Sequence, residues 1–390
     1  MADTTVVAPF KRPSDVDVVM DVVHPKPIVG LGNLLILNFV DPAQVSTGGK
    51  GGGDGVVPAK QASDKLTEDE LLDGLIMRKT DTATGAVYRE YKDIDAVAKN
   101  GFDEETDVYK KASAYFAQDN HSDRVAVLDL PKAKMRDALE AFWYFNWTFA
   151  VLSKPLDDIS TLKDLSSIFE ANKDHFLVIQ KATTSDYVQL QGQNYTIGLK
   201  HDLAEPMDAA FVGAIAMLPI GATTWKFKTL RGISPEVLTS SELAAITKVN
   251  AIGYETVFGK DQTTEGKALS GEYIDTLHGI MWVKNEMQTE LEKLLQNNNK
   301  IPYEQRGINM ILSVATQVLI RAHEKGIILT KPDGKPDYTI NAGGRETQSA
   351  QNLSDRHYDG LSFTYHASGA IHTITVHGTV NSDTILNATN

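Results

Sequence analysis

The chain has 390 residues, of which 42% are hydrophobic and 23% are charged. This balance is ordinary for a folded protein and too apolar for a disordered one, and the length favours two domains over one. The formal net charge of −13 argues against a general nucleic-acid binder, which needs a basic face to neutralise phosphates. There is no cysteine, so disulfides, thiolate nucleophiles and cysteine-ligated zinc or iron–sulfur centres are excluded.

The apolar segments favour a protein that is made and used in solution. The N-terminal sequence MADTTVVAPFKRPSD lacks the apolar core of a signal peptide. The longest mostly apolar runs, residues 34–40 and 209–218, are too short to span a bilayer. We therefore expect no membrane insertion.

The first structural signal is the run DVDVVMDVV at residues 15–23. Apolar and mostly acidic side chains alternate there, which is typical of a strand with one buried face. The apolar positions of that face are Val16, Val18, Met20 and Val22. Two prolines, Pro25 and Pro27, end the strand because proline cannot donate to a ladder. No adjacent segment offers a hairpin partner, so we expect pairing with a distant part of the chain or with another molecule.

Residues 29–218 have the pattern of an α/β domain. A buried strand is predicted at residues 34–40, a flexible glycine-rich loop at 46–55, and a helix start at the capping-box residues Thr67 and Glu70. Further helices are predicted at 93–100, 106–118, 132–142, 161–172 and 206–217, and strands at 124–130, 147–152 and 176–180. Helices and strands alternating at this spacing predict a sheet with helices packed on it.

Two long helices dominate the remainder, at residues 272–297 and 304–325. Each carries an apolar stripe at helical spacing, and Gly326 is placed to end the second. Residues 361–380 alternate in the manner of a strand, with a turn predicted at Ser368 and Gly369. The predicted fold class is α/β (α+β): an α/β domain followed by an α+β domain.

The glycine cluster around Lys50 invites a phosphate-loop interpretation. That motif needs Gly-Lys-Ser/Thr at the entry to a helix, where backbone N–H groups hold the phosphate. Here Lys50 is followed by three more glycines and no helix start. A flexible surface loop is the better interpretation.

Four histidines near the C-terminus, His357, His366, His372 and His377, could suggest a metal site. His372 and His377 are separated by an odd step, so on one regular strand they face opposite sides. Ordinary strand histidines are therefore favoured. The serine-hydrolase elbow Gly-x-Ser-x-Gly does not occur, and sequence cannot bring any two acidic residues together as a glycosidase pair. We predict no catalytic, cofactor or metal site, and no enzyme.

Several segments resemble the contractile tail sheath proteins of phages of Gram-positive bacteria. In the C-terminal half they are LPIGATTWKFKTLRGI (218–233), GEYIDTLHGIMWVKNEMQTEL (271–291), KIPYEQRGINMIL (300–312) and SDRHYDGLSFTYHASGAIHTITVHGTV (354–380). Earlier segments are DVDVVMDVVHPKPIVGLGNLLIL (15–37) and YKDIDAVAKNGFDEETDVYKKASAYFAQ (91–118). The similarity touches most of the chain and is weakest over residues 46–84.

The resemblance implies a structural subunit that stacks as six-membered rings around a tail tube and contracts to drive the tube through the host envelope. Residues 1–28 would form an N-terminal arm, 29–218 an outer α/β domain, 219–365 an inner domain touching the tube, and 366–390 a C-terminal strand and arm. Arms from one subunit would complete a sheet in its neighbours. The residues implied in this strand donation are Val16, Val18, Met20, Val22, Ile371, Thr373, Ile374, Thr375 and Val376.

Contact with the tube is expected from the helix at residues 304–325, if the C-terminal domain is the inner layer. Its apolar stripe is needed for the core, which leaves as exposed candidates Arg306, Asn309, Gln317, Arg321 and Lys325. Three of these are basic, so an acidic tube surface is the expected partner. The second choice is Lys284 and Lys293 on the preceding helix.

Further partners implied are baseplate and tail terminator proteins, with no direct nucleic acid. The protein would be located in the virion tail, which is assembled in the cytoplasm of the bacterial host. One alternative is the sheath of a phage-tail-like bacteriocin or injection particle. Another, from a different class, is a tail-associated cell-wall hydrolase, for which the sequence shows no catalytic constellation. A tail tube or capsid protein would lack the pair of long helices flanked by terminal arms.

Overall fold

The computed structural model describes residues 31–40 and 64–378. The predicted N-terminal strand with Val16, Val18, Met20 and Val22, the glycine-rich loop at 46–55 and residues 379–390 lie outside the described residues. The described chain mixes helices and strands in both halves, which confirms the predicted α/β (α+β) class.

A seven-stranded sheet forms the centre of the first part. In chain order its strands are β1 (Leu34–Val40), β2 (Leu75–Thr80), β3 (Val87–Tyr91), β4 (Val125–Pro131), β5 (Phe149–Leu152), β6 (Phe176–Lys181) and β7 (Thr196–Lys200). Their order across the sheet is β2-β3-β4-β1-β5-β6-β7. The five strands from β4 to β7 across the sheet run parallel, and β2 and β3 add an antiparallel hairpin at one edge.

Helices cover both faces of this sheet. They are α1 (Glu68–Leu72), α2 (Ile94–Lys99), α3 (Asp107–Phe116), α4 (Met135–Phe142), α5 (Ile159–Asn172) and α6 (Met207–Ile215). α3 and α6 pack together against β1, whereas α4 and α5 pack together against β4, β6 and β7. Successive side chains of a strand point to opposite faces, yet the four consecutive residues Leu34 to Leu37 are all fully buried. The central strand is therefore covered on both sides, as parallel sheets require.

Residues 216–273 extend the sheet unit beyond β7. They contain α7 (Ser240–Lys248) and the hairpin β8 (Tyr254–Val257) and β9 (Lys260–Thr263). The N–H of Ile252 donates to the carbonyl of Gly198 at 2.8 Å, and the carbonyl of Ile252 accepts from Lys200 at 2.9 Å. Trp225 and Tyr254 are buried in the same core as the sheet. This segment thus covers the β7 edge.

The C-terminal part is built on two long helices, α8 (Ile274–Gln296) and α9 (Gln305–Glu324). A strand pair, β10 (Tyr338–Ala342) and β11 (Leu361–Tyr365), lies against them, with the short α10 (Ala350–Asp355) between the strands. α9 ends in a Schellman motif, since Gly326 N–H donates to His323 and Ile327 N–H donates to Ala322. The left-handed φ of +80° at Gly326 is why glycine follows the helix.

Hydrophobic packing changes partner part-way along α8. Its first half, with Ile274, Leu277 and Met281, belongs to the core of the sheet unit. Its second half, with Val283 and Met287, belongs to a smaller core shared with α9 and the β10–β11 pair. One helix therefore joins two cores.

The predicted strand at residues 361–380 is wrong beyond Tyr365. β11 ends there, and residues 366–378 contain an isolated bridge between Ala367 and Ile328 but no regular strand. The physical reason is that this stretch has no adjacent backbone to pair with inside the described chain. Alternation of apolar and polar residues predicts which face of a strand is buried, but it does not predict which strand pairs with it.

Candidate assembly surface

The β10–β11 sheet has one face on the protein and two open edges. Tyr338, Ile340, Phe363 and Tyr365 are half-buried and pack on the second core, while the opposite face is exposed. The two strands pair antiparallel, with Tyr338 opposite Tyr365 and Ala342 opposite Leu361. Within the part of the chain that the structure describes, the outer edge of each strand has no ladder partner. A two-stranded sheet is marginal alone, and open edges accept further strands.

The segment after β11 is tied to the body at its start. The N–H of Leu329 donates to the carbonyl of His366 at 2.8 Å, and the N–H of Ser368 donates to Ile327 at 2.9 Å. In residues 373–378 no hydrogen bond to any other described residue is formed. The chain therefore stays on the body as far as His372 and leaves it after that residue.

Apolar side chains on this segment face water. Ile371, Ile374 and Val376 are 78%, 80% and 84% exposed. Thr373 and Thr375 alternate with the last two and are exposed as well. The structure thus places all five C-terminal residues predicted for strand donation on one exposed stretch, which has the alternation of a strand and pairs with no strand in the described part of the chain.

The predicted tube-facing residues divide into two groups. Arg306, Asn309 and Gln317 are exposed on the same side of α9. Arg321 instead lies against α8, where its guanidinium is 2.8 Å from a carboxylate oxygen of Glu286.

The last two basic residues of this set serve contacts within the chain. Arg321 also reaches Glu290 at 3.6 Å, and the ammonium of Lys325 lies 5.3 Å from the centre of the Trp282 ring. Of the second-choice lysines, Lys284 is wrong as a surface contact because it is only 3% exposed. Sequence could not show this, since Lys284 falls beside the apolar stripe of α8.

Buried titratable groups mark the contact between α8 and the sheet. The Nε2–H of His278 donates to the carbonyl of Leu31 at 2.7 Å, and its ring packs edge-on against Phe149. Burial lowers the pKa of His278 to about 4, because the charged imidazolium would lose its hydration. His278 is therefore neutral in the folded protein and fastens α8 to the start of β1.

A second buried cluster lies where α5 turns into β6. His175 stacks on Trp147 with ring centres 3.7 Å apart, and burial lowers its pKa to about 3. Burial raises the pKa of the Asp174 carboxyl to about 7, and the positive charge of Lys284 opposes that rise. α8 thus places the buried ammonium of Lys284 near the Asp174 carboxyl of the sheet unit.

In the described ranges, 31–40 and 64–378, no group of three or more histidine, aspartate or glutamate side chains could hold a metal ion. The same residues include no helix long and apolar enough to cross a membrane. The four C-terminal histidines do not converge.

Comparison with protein families identifies the C-terminal part. Residues 274–380 match the family model described as E217 tail sheath protein gp31-like, C-terminal domain. This stretch contains α8, α9, the open-edged sheet and the exposed segment. The resemblance to contractile tail sheath proteins is confirmed. Comparison with curated proteins finds no match.

Three solved structures share the fold over nearly the whole length of the chain. A chain of the anti-feeding prophage baseplate superposes with a TM-score of 0.61 at 12% identity, covering 98% of this chain and 100% of that one. The sheath of an extracellular contractile injection system, PVC, in its contracted state gives 0.61 at 10% identity, covering 97% and 100%. The contracted helical sheath of the anti-feeding prophage gives 0.58 at 11%, covering 98% and 100%.

Sequence reasoning missed one feature of this surface. His372 was interpreted as an ordinary strand histidine, but its side chain is only 6% exposed and makes two polar contacts with the body. The partners lie 107 and 148 residues away in the chain, so no local pattern could reveal them.

Proposed function

We propose that this chain is the structural subunit of a contractile sheath, polymerising as stacked hexameric rings around a tail tube and shortening to drive the tube through a host envelope. The observation that carries the proposal is the match of residues 274–380 to a tail sheath domain. The same residues hold the open-edged sheet and the exposed C-terminal segment. A subunit that polymerises by strand donation needs both a segment that is donated and an open sheet edge that accepts it.

The joint between subunits is a strand donated from one copy to the next. Residues 371–376 have strand alternation, exposed apolar side chains and no partner in their own described chain. The β10–β11 sheet offers two unpaired backbone edges of five residues each. Backbone pairing supplies the attraction, and the side chains of Ile374 and Val376 supply a buried face. Because donor and acceptor are different surfaces, the contact repeats without closing and generates a helical polymer.

The N-terminal arm, residues 1–28, is proposed as a second donor through Val16, Val18, Met20 and Val22. These residues lie outside the described chain, and their alternation supports the proposal. The outer layer of the sheath would be residues 29–218 and the inner layer residues 219–365. The exposed side of α9, with Arg306, Asn309 and Gln317, would face the tube.

Shortening of the sheath is proposed to use energy stored at assembly, with the extended state kinetically trapped until the baseplate releases it. Backbone pairing between arms persists while domain surfaces slide. Other partners are a tail terminator and the tube protein, in a virion tail assembled in the host cytoplasm. The alternative is the sheath of a phage-tail-like bacteriocin or injection particle, and the fold shared with the injection-system sheath supports it.

Electron microscopy of the purified protein tests the proposal. The full chain should form rings or long tubes. A variant lacking residues 1–23 should fold to the same helix content and form no long tubes, and a variant lacking residues after Gly378 should behave likewise. Monomers of the full chain that degrade cell wall would contradict a sheath and support the hydrolase alternative.

A further inference from the structure

One residue of the exposed C-terminal segment is buried in a pocket of its own chain. The imidazole of His372 has Nε2 at 2.8 Å from the hydroxyl of Thr224 and Nδ1 at 2.6 Å from a carboxylate oxygen of Glu265. The edge of Tyr273 lies against it, with ring centres 4.8 Å apart. Its neighbours along the chain, Ile371 and Thr373, are exposed.

The pocket is also held by contacts that do not involve His372. Glu265 accepts a hydrogen bond from the N–H of Gly266 at 3.2 Å and lies 3.7 Å from the ammonium of Lys226. The backbone at Gly266 is packed so closely that a Cβ there would lie 2.9 Å from the backbone nitrogen of Lys226 and 2.9 Å from the Cβ of Trp225. The Glu265 carboxylate and the Thr224 hydroxyl lie on either side of the pocket and together form a specific binding site for an imidazole.

Histidine matches this pocket through both ring nitrogens. Nδ1–H donates to the Glu265 carboxylate, and Nε2 shares a hydrogen bond with the Thr224 hydroxyl. An aliphatic side chain would leave the Glu265 carboxylate with a polar partner missing.

We propose that His372 is a clamp that fixes the point at which the C-terminal arm leaves its own subunit. The inference rests on the proposed strand donation and adds what sets its geometry. Val376 is four residue steps beyond His372, and an extended chain rises about 3.3–3.6 Å per residue. The sheet edge that receives Ile374 and Val376 must therefore lie within about 15 Å of the clamp. The clamp thereby limits where the next subunit can sit and bears the load on the arm.

Histidine substitution tests the clamp with a control from the same segment. His372→Ala removes both hydrogen bonds, whereas His377→Ala changes an exposed histidine five residues further on. We expect His372→Ala to raise the critical concentration for polymerisation about tenfold, with His377→Ala unchanged. If the full chain and both variants polymerise at the same concentration, the clamp is overturned. If the full chain does not polymerise at all, the proposed function fails instead.

Cross-linking tests whether the clamp acts within one chain and leaves His372 unchanged. The chain has no cysteine, so Ile371→Cys and Phe227→Cys introduce unique thiols; the Phe227 ring lies 6.2 Å from that of His372. In polymers treated with a short bifunctional maleimide, the double variant should give an internally linked monomer. An equal mixture of the two single variants should give no linked dimer. Linked dimers from the mixture, or no internal link in the double variant, would show that the pocket is not filled by its own chain.

Discussion

Single side chains decide how α8 is fastened to the sheet unit. His278 is neutral and hydrogen-bonded to the backbone beside β1, and Lys284 places a buried charge near Asp174. Buried polar groups add little net stability but cost several kcal/mol when a partner is removed. The position of α8 is therefore specified by polar contacts that a sequence pattern does not display.

The pH dependence of stability tests the His278 contact. Its folded pKa of about 4 is below its ordinary value of 6.5, so between those values the unfolded chain binds more protons. The contribution of His278 to the free energy of unfolding is therefore fully present above about pH 6.5 and is lost as the pH falls towards 4. Between pH 7.5 and 5 this residue accounts for a loss of about 2 kcal/mol.

His278→Gln keeps a donor for the Leu31 carbonyl but cannot titrate, so it should lose that part of the pH dependence. Urea unfolding at pH 7.5 and pH 5 measures it, with His377→Gln as the exposed control. An unchanged difference between the two pH values in His278→Gln would contradict a neutral, buried His278.

Charge reversal on α9 tests the proposed tube face. Arg321 is unsuitable, because a carboxylate there would lie beside Glu286 and Glu290 and weaken the α8–α9 contact itself. Arg306→Glu changes an exposed residue and should reduce tube-templated extended sheath, with little effect on sheath formed without tube. Exposed ion pairs contribute about 0–1 kcal/mol each, so the effect per subunit is small and accumulates along the polymer.

The measurement is the fraction of extended sheath in co-assembly with the tube protein, counted in micrographs. Lys248→Glu makes the same change of charge on α7 and serves as control. Equal fractions of extended sheath for Arg306→Glu and Lys248→Glu would contradict the proposal that α9 contacts the tube.

Elements could be predicted from sequence where one periodicity ran without interruption. The two long helices and β1 follow directly from their apolar patterns, and the Thr67–Glu70 capping box begins α1 as expected. The β2–β3 hairpin was missed because β3 buries Arg89 and Glu90, which break the alternation. Arg89 is paired with Asp129 at 2.5 Å, a contact 40 residues away. Burial of such residues depends on partners that only the fold brings near.

The exposed C-terminal segment has no strand partner in the described chain. Its alternation predicts a strand but identifies no acceptor, and the donation of this segment to another copy stays a prediction. Ile374→Asp with Val376→Asp should abolish long polymers while leaving the thermal unfolding temperature unchanged, because both side chains are already exposed in the subunit. Charges there would be buried on docking, at a cost of several kcal/mol per joint.

Thr373→Asp with Thr375→Asp is the matched control, since these side chains occupy the opposite face of the same strand. Sedimentation and negative-stain microscopy compare the two. Polymers of normal length from the Ile374/Val376 variant would place the joint elsewhere.

On the scale of the whole molecule, two cores share one helix. In the described chain, residues 252 and 269 cover the β7 edge of the seven-stranded sheet and β2 forms its other edge, whereas the C-terminal unit ends in an open-edged sheet and an exposed segment. Under the proposed function, association through the second unit would leave the first free to move against its neighbours. That division of roles would suit a polymer that shortens without coming apart.

A helical reconstruction by cryo-electron microscopy of the polymer formed by the full chain tests the central claim most directly. The account predicts stacked six-membered rings in which residues 373–376 of one copy form a strand along the β10–β11 sheet of another, with His372 still bound to Glu265 of its own chain. A polymer in which every β10–β11 sheet keeps two open edges, or a full chain that stays monomeric, would contradict it.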